Sequence, residues 1–156
     1  MAGNNNTARI IAGLLGLIFL LLIGAFVTMA LVQRDEVRIN AIGPFGPTAG
    51  AERGGVRFAG AIHVWEINGH VAIDAARNAT VTAHLRGPNG QPPGAGLDLS
   101  AAFNRPDGDA AEIPARLRRS GPGVYSGAAA LPADGPWQLR LKVPEVTGVM
   151  AFTVDP

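Results

Sequence analysis

Residues Ile10 to Val32 read IIAGLLGLIFLLLIGAFVTMALV and contain no charged side chain. Thr28 is the single polar residue in this stretch. A helix of this length, at about 1.5 Å per residue, crosses a hydrocarbon layer of about 30 Å with some tilt. A core helix of a soluble protein would carry a polar face. The stretch therefore predicts one transmembrane helix over residues 10–32.

A cleaved signal peptide is the alternative interpretation, because Thr28-Met29-Ala30 resembles a small-x-small cleavage site. The apolar run is longer than the roughly 7 to 15 residues of a usual signal peptide, which favours an uncleaved anchor. Gly13, Gly16 and Gly24 interrupt the large side chains, and Gly13 and Gly16 lie one turn apart. Small residues let a second helix approach closely. We therefore predict them as helix contact positions, although glycine is common in spanning helices.

The charges beside this helix leave its direction open. Arg9 precedes it and Arg34 and Arg38 follow it, so the positive-inside rule would keep the following domain in the cytoplasm by one charge. A long domain can be exported regardless of its charges. The chain divides into a predicted cytoplasmic tail at 1–9, the helix at 10–32, a linker at 33–57 and a β domain at 58–156.

Glycine and proline mark the predicted linker, since residues 43–60 read GPFGPTAGAERGGVRFAG. From Phe58 onward, short runs of β-forming residues alternate with turn residues, as in a β-sandwich or barrel. The predicted strands are His63 to Ile67, His70 to Asp74, Ala79 to Leu85, Leu97 to Phe103, Ile113 to Arg118, Val124 to Ala129, Trp137 to Val143 and Val149 to Val154.

Asn68-Gly69 stands between two of these runs and is a strong signal for a two-residue hairpin turn. The resulting register would direct Val64, Val71 and Ile73 to the core. The opposite, half-exposed face would then carry a possible partner surface made of His63, Trp65, His70 and Asp74.

Composition excludes several functions. Behind the helix, twelve basic residues balance twelve acidic ones, which argues against nucleic-acid binding. The absence of cysteine removes disulfides, thiolate metal sites and cysteine nucleophiles. The serines lack a Gly-x-Ser-x-Gly elbow, and the glycines follow no phosphate-loop pattern. We therefore expect no enzyme activity, no cofactor and no small-molecule substrate.

Metal binding has few candidate ligands in this chain. His63, His70, His84 and Met150 are the candidates for copper, but the predicted hairpin separates His63 from His70 by on the order of 13 Å. We expect ordinary histidines rather than a metal site. Trp137 alternates with Leu139 and Leu141, which predicts a buried sandwich tryptophan.

The carboxyl-terminal half carries a recognisable series of phrases: LRGPNGQP at 85–92, FNRP at 103–106, GPGVYSG at 121–127 and LPADGPWQL at 131–139. Over about residues 80–143 it resembles the FixH family and the related YtkA-like domains. The resemblance implies an immunoglobulin-like sandwich behind one membrane helix and outside the bacterial cytoplasmic membrane. Residues 10–78 depart from the usual form of the family.

The FixH resemblance implies a role in assembly of cbb3-type cytochrome c oxidases. The first hypothesis is accordingly a membrane-anchored accessory or assembly protein that works through contacts with integral membrane subunits and the lipid bilayer. A stoichiometric structural subunit of a respiratory or photosynthetic complex is the second. A periplasmic copper-handling protein is the third. The predicted location is the inner membrane, with the carboxyl-terminal domain in the periplasm.

Overall fold

The computed structural model describes residues 5–32, 36–108 and 111–156. It divides into two compact units, a helix and a β domain that begins at Glu36. Helix α1 covers Asn5–Val32. Within it, the segment Arg9–Met29 is long and apolar enough to cross a membrane. The apolar helix predicted from the sequence is confirmed, and its length and composition indicate a membrane anchor.

The β domain has two sheets in the part of the chain that is described, which confirms the predicted all-β sandwich. One sheet has the order β1-β11-β10-β6-β7 and the other the order β2-β3-β4-β5-β9-β8. All strand pairs are antiparallel except β1 with β11. The strands are β1 Glu36–Arg38, β2 Asn40–Phe45, β3 Gly55–Ile62, β4 Trp65–Ile73, β5 Asn78–Arg86, β6 Ser100–Asn104, β7 Ile113–Ala115, β8 Arg118–Gly121, β9 Val124–Ala130, β10 Gly135–Val143 and β11 Val146–Val154.

The core lies between the two sheets and is built by alternation, because every second strand residue points inward. In β5 the buried residues are Ala79, Val81, Ala83 and Leu85, and in β10 they are Trp137, Leu139, Leu141 and Val143. No polar or charged residue is buried among the described positions. Apolar burial is therefore the main stabilising term of the domain.

The amino-terminal strands correct the predicted linker. Residues 36–45 form β1 and β2 rather than a connection, so the domain begins at Glu36 and not at Phe58. Between these strands the buried Ile39 donates its amide hydrogen to the Val149 oxygen at 2.9 Å. The Ile39 side chain fills the space above Gly148, where an added Cβ would meet Ile39 Cδ1 at 2.5 Å.

The prediction failed there because glycine and proline do not exclude an edge strand. In β2, Pro44 lacks an amide hydrogen, but one side of an edge strand has no neighbour to pair with. A bulge between Ala41 and Gly43 absorbs the remaining irregularity. Residues 33–35 of the predicted linker lie outside the described residues.

Strand β4 shows that the predicted hairpin at Asn68-Gly69 is wrong. It runs without a break through both residues, and the turn lies instead at His63–Val64, because Ile62 pairs with Trp65. A Cβ on Gly69 would lie 2.0 Å from the Thr82 oxygen and 2.7 Å from Phe58 Cζ. This glycine allows close packing in the middle of a strand rather than a reversal of the chain.

Candidate contact surfaces

The predicted partner face of His63, Trp65, His70 and Asp74 does not exist as one surface. His63 lies in the β3–β4 turn, and Trp65 is half-buried against the core. Asp74 follows β4, where its carboxylate accepts hydrogen bonds from the Asn78 amide at 2.8 Å and the Asn78 side chain at 2.7 Å. These bonds lower the pKa of Asp74. Because β4 continues where a turn was predicted, only His70 remains on the outer face.

The surroundings of His70 form a patch on the outer face of the six-stranded sheet. His70 pairs with Arg57 on one side and Thr82 on the other. The Phe45 ring stacks on the imidazole with centroids 4.3 Å apart and planes within 6°. We call this surface the outer patch, and it comprises Phe45, Arg57, Asn68, His70, Thr82 and His84.

The surroundings of His70 disfavour its charged form. Partial burial has the largest effect in lowering the pKa of His70, and the nearby His84 and Arg57 lower it further. The lowered pKa favours the neutral imidazole, whose ring has one donor nitrogen and one acceptor nitrogen. The patch combines a stacked ring pair with one guanidinium, whose carbon lies 6.0 Å from the Phe45 ring centroid.

The four candidate metal ligands do not converge. His70 and His84 share the outer patch, where Asn68 pairs with His84 and Thr82 with His70. His63 lies elsewhere, with its Nε2 4.0 Å from Glu145 Oε2. Met150 is buried in the core. Within residues 5–32, 36–108 and 111–156, no group of three or more His, Asp or Glu side chains could hold a metal ion.

The glycines of α1 give the helix a smooth side. Gly24 is eleven residues after Gly13, close to three full turns, and Gly16 is one turn from Gly13. A methyl group added at any of the three would meet no described atom within 4 Å. Thr28 donates its hydroxyl hydrogen within the helix, to the Gly24 oxygen at 2.8 Å or the Ala25 oxygen at 3.0 Å. The single polar group of the span therefore needs no outside partner.

The predicted buried tryptophan is confirmed, and its partner was missed. Trp137 is 1% exposed, and its Nε1 donates to the Ala133 oxygen at 3.0 Å. The Arg105 guanidinium lies 4.3 Å from the ring centroid and donates to the oxygens of Pro136 and Asp134, each at 2.9 Å. The segments FNRP and LPADGPWQL thus contact each other around Trp137. The two segments are about thirty residues apart, and nothing in the sequence indicates that they are in contact.

A family model described as FixH matches residues 65–154, which is more than half of the chain. The chain belongs to the FixH family. In this FixH family member the match covers β4 through β11 and extends beyond the resemblance seen at residues 80–143. FixH domains are a non-catalytic kind of domain.

Two further comparisons concern whole chains. A solved structure, the crystal structure of the Lin-41 filamin domain, is 14% identical, with 62% of this chain and 97% of that chain covered at a TM-score of 0.47. No curated protein matches the chain significantly.

Proposed function

We propose that this FixH family member is a membrane-anchored accessory or assembly protein of a cbb3-type oxidase in the bacterial inner membrane. The observation that carries the proposal is the FixH match over residues 65–154, on a chain that begins with one apolar helix. Its work is done through protein contacts rather than catalysis. The β domain lies in the periplasm.

Two surfaces support contact as the mode of action. The outer patch offers the Phe45–His70 stack and Arg57 on an exposed sheet face. The glycine side of α1 offers a strip on which another helix could pack closely in the bilayer. The second surface also favours the alternative of a permanent subunit, since such a subunit packs against integral partners throughout its life.

Deletion of the gene tests the role. The deletion strain should contain less assembled oxidase and consume less oxygen through it, and the natural gene should restore both. Unchanged oxidase content and activity would contradict the proposal. Affinity purification separates the two roles, because an assembly protein should copurify with incomplete oxidase, whereas a permanent subunit copurifies in equal amounts with the mature enzyme.

Complementation with helix variants tests the glycine side. Replacing Gly13, Gly16 and Gly24 with leucine should reduce restored oxidase, because larger side chains prevent close approach of a helix. The matched control is Ala25→Leu, which places the same side chain about 100° around the helix from Gly24. Equal complementation by both variants would show that the glycines are not a contact surface.

The location of the β domain can be measured because the chain lacks cysteine. Asp107→Cys introduces one thiol in an exposed turn of the β domain. A membrane-impermeant maleimide should label it in spheroplasts, whereas Asn5→Cys should react only after lysis. The reverse pattern would place the domain in the cytoplasm.

A further inference from the structure

One end of the β domain carries a small apolar surface that is partly open to solvent. Here the β3–β4 turn, His63–Val64, lies beside the β10–β11 turn, Pro144–Glu145. Val64 is 49% exposed, one of the few large apolar side chains of the domain that are open to solvent. We call this end the entry tip. Its shallow apolar depression is lined by His63, Val64, Trp65, Leu97, Val143 and Pro144, with Glu145 at its side.

The β3–β4 turn is built from residues that such turns rarely use. Two-residue hairpin turns favour glycine, asparagine and aspartate, because they need positive φ and face water. His63 has φ 55°, and Val64 follows it as an exposed β-branched residue. A non-glycine residue in this conformation is strained. The turn therefore presents an apolar side chain where stability alone would select a polar one.

The entry tip is also the end at which the chain enters the β domain. Strand β1 begins at Glu36, which pairs with Thr147, two residues after Glu145. Helix α1 ends at Val32, only four positions earlier in the sequence. The chain thus enters the β domain at Glu36, beside the β10–β11 turn that forms part of the entry tip.

We infer that the entry tip docks on the lipid bilayer, with Val64 and the edge of Trp65 in the boundary between headgroups and acyl chains. Tryptophan favours this boundary, because its ring is apolar and its N–H is polar. The contact area is small, but the tether supplies a high effective concentration of lipid, so weak binding suffices. This inference rests on α1 spanning a membrane and does not depend on the oxidase.

Spin labelling of the full chain tests the docking. Val64→Cys would carry a nitroxide in protein reconstituted in phosphatidylcholine–phosphatidylglycerol nanodiscs. The label should collide more with oxygen, which concentrates in lipid, than with a water-soluble nickel complex. The matched control is Asp107→Cys, in the exposed β6–β7 connection, where the label should collide more with nickel.

Each outcome decides the matter. A Val64 label as open to nickel as the Asp107 label would overturn the inference. A label shielded from both reagents would show that protein covers the tip, which overturns it as well. Quenching by brominated lipids checks the unsubstituted chain, in which the buried Trp137 gives a constant background. Emission from Trp65 should fall in brominated nanodiscs, and unquenched emission would contradict docking.

Discussion

Strands β4 and β10 are both nine residues long and both alternate, yet only β10 was correctly predicted from the sequence. In β10, Trp137, Leu139 and Leu141 are buried as their spacing indicated. In β4, Ile67, Val71 and Ile73 are buried with the same odd-numbered spacing. The difference is Gly69, which occupies the inner position between them. The local turn signal at Asn68-Gly69 predicts a reversal, whereas the alternation of buried residues continues across it.

The reason for Gly69 lies on a neighbouring strand. Phe58 of β3 covers the inner side of β4 at Gly69, so no side chain fits there. Asn68 takes an outer position and pairs with His84. The dipeptide that favours a turn in isolation therefore satisfies packing in this sheet, which shows that tertiary contacts override local propensity.

Alanine substitutions of the two tryptophans should show the largest difference in stability between β10 and β4. Trp137→Ala should lower the free energy of unfolding by about 4 kcal/mol, because it removes a fully buried ring. Trp65→Ala should cost only about half as much, since Trp65 is partly buried. Urea unfolding of the full chain in detergent, followed by loss of the β circular dichroism signal, measures both. Equal losses would contradict the difference in burial.

Gly69→Ala should destabilise the β domain by about 3 kcal/mol, because the methyl group overlaps the Thr82 backbone and the Phe58 ring. Gly60→Ala in β3 is the matched control, since its Cβ would meet Ile39 at ordinary distances of 3.4 to 3.7 Å. Unfolding midpoints of the two variants provide the comparison. A tolerated Gly69→Ala would mean that β4 turns at this point after all.

His63→Gly should stabilise the domain by about 1 kcal/mol, because glycine adopts φ 55° without strain. The gain would place the true turn at the amino-terminal end of β4. Asn68→Gly gives the contrast, since glycine in a strand interior is expected to destabilise. If Asn68→Gly stabilised the domain and His63→Gly did not, the turn would be misplaced.

The smallest expected effect is a pH dependence from His70. Its pKa is lowered in the folded chain, so below the ordinary value of about 6.5 the unfolded chain binds a proton that the folded chain resists. Stability should therefore fall as the pH drops through that value, and show no contribution from His70 above it. His70→Gln should reduce this slope in unfolding measurements between pH 7.5 and 5.5, about one unit either side of the ordinary value. An unchanged slope would exclude His70 as the cause.

Much of the fold could be predicted where the information is local. Helix α1 follows from an uncharged run longer than a bilayer is thick. Strands β5, β9, β10 and β11 follow from runs of β-forming residues between turns. The contact surfaces could not be predicted so well, because they depend on which strands are neighbours. The outer patch needs Phe45 of β2, a strand that lies within the predicted linker.

The sequence by itself determined a membrane-length helix, an all-β domain and its family resemblance, because hydrophobic length and alternation act within one segment. Only the tertiary structure decided that residues 36–45 are strands, that β4 does not turn, and that the predicted strand Ile113–Arg118 divides into β7 and β8 on different sheets. Those outcomes depend on partners far away in sequence. Packing against distant strands favours the edge strand β2, the glycine at position 69 under the Phe58 ring, and the change of sheet between β7 and β8. A single segment of sequence cannot encode such packing.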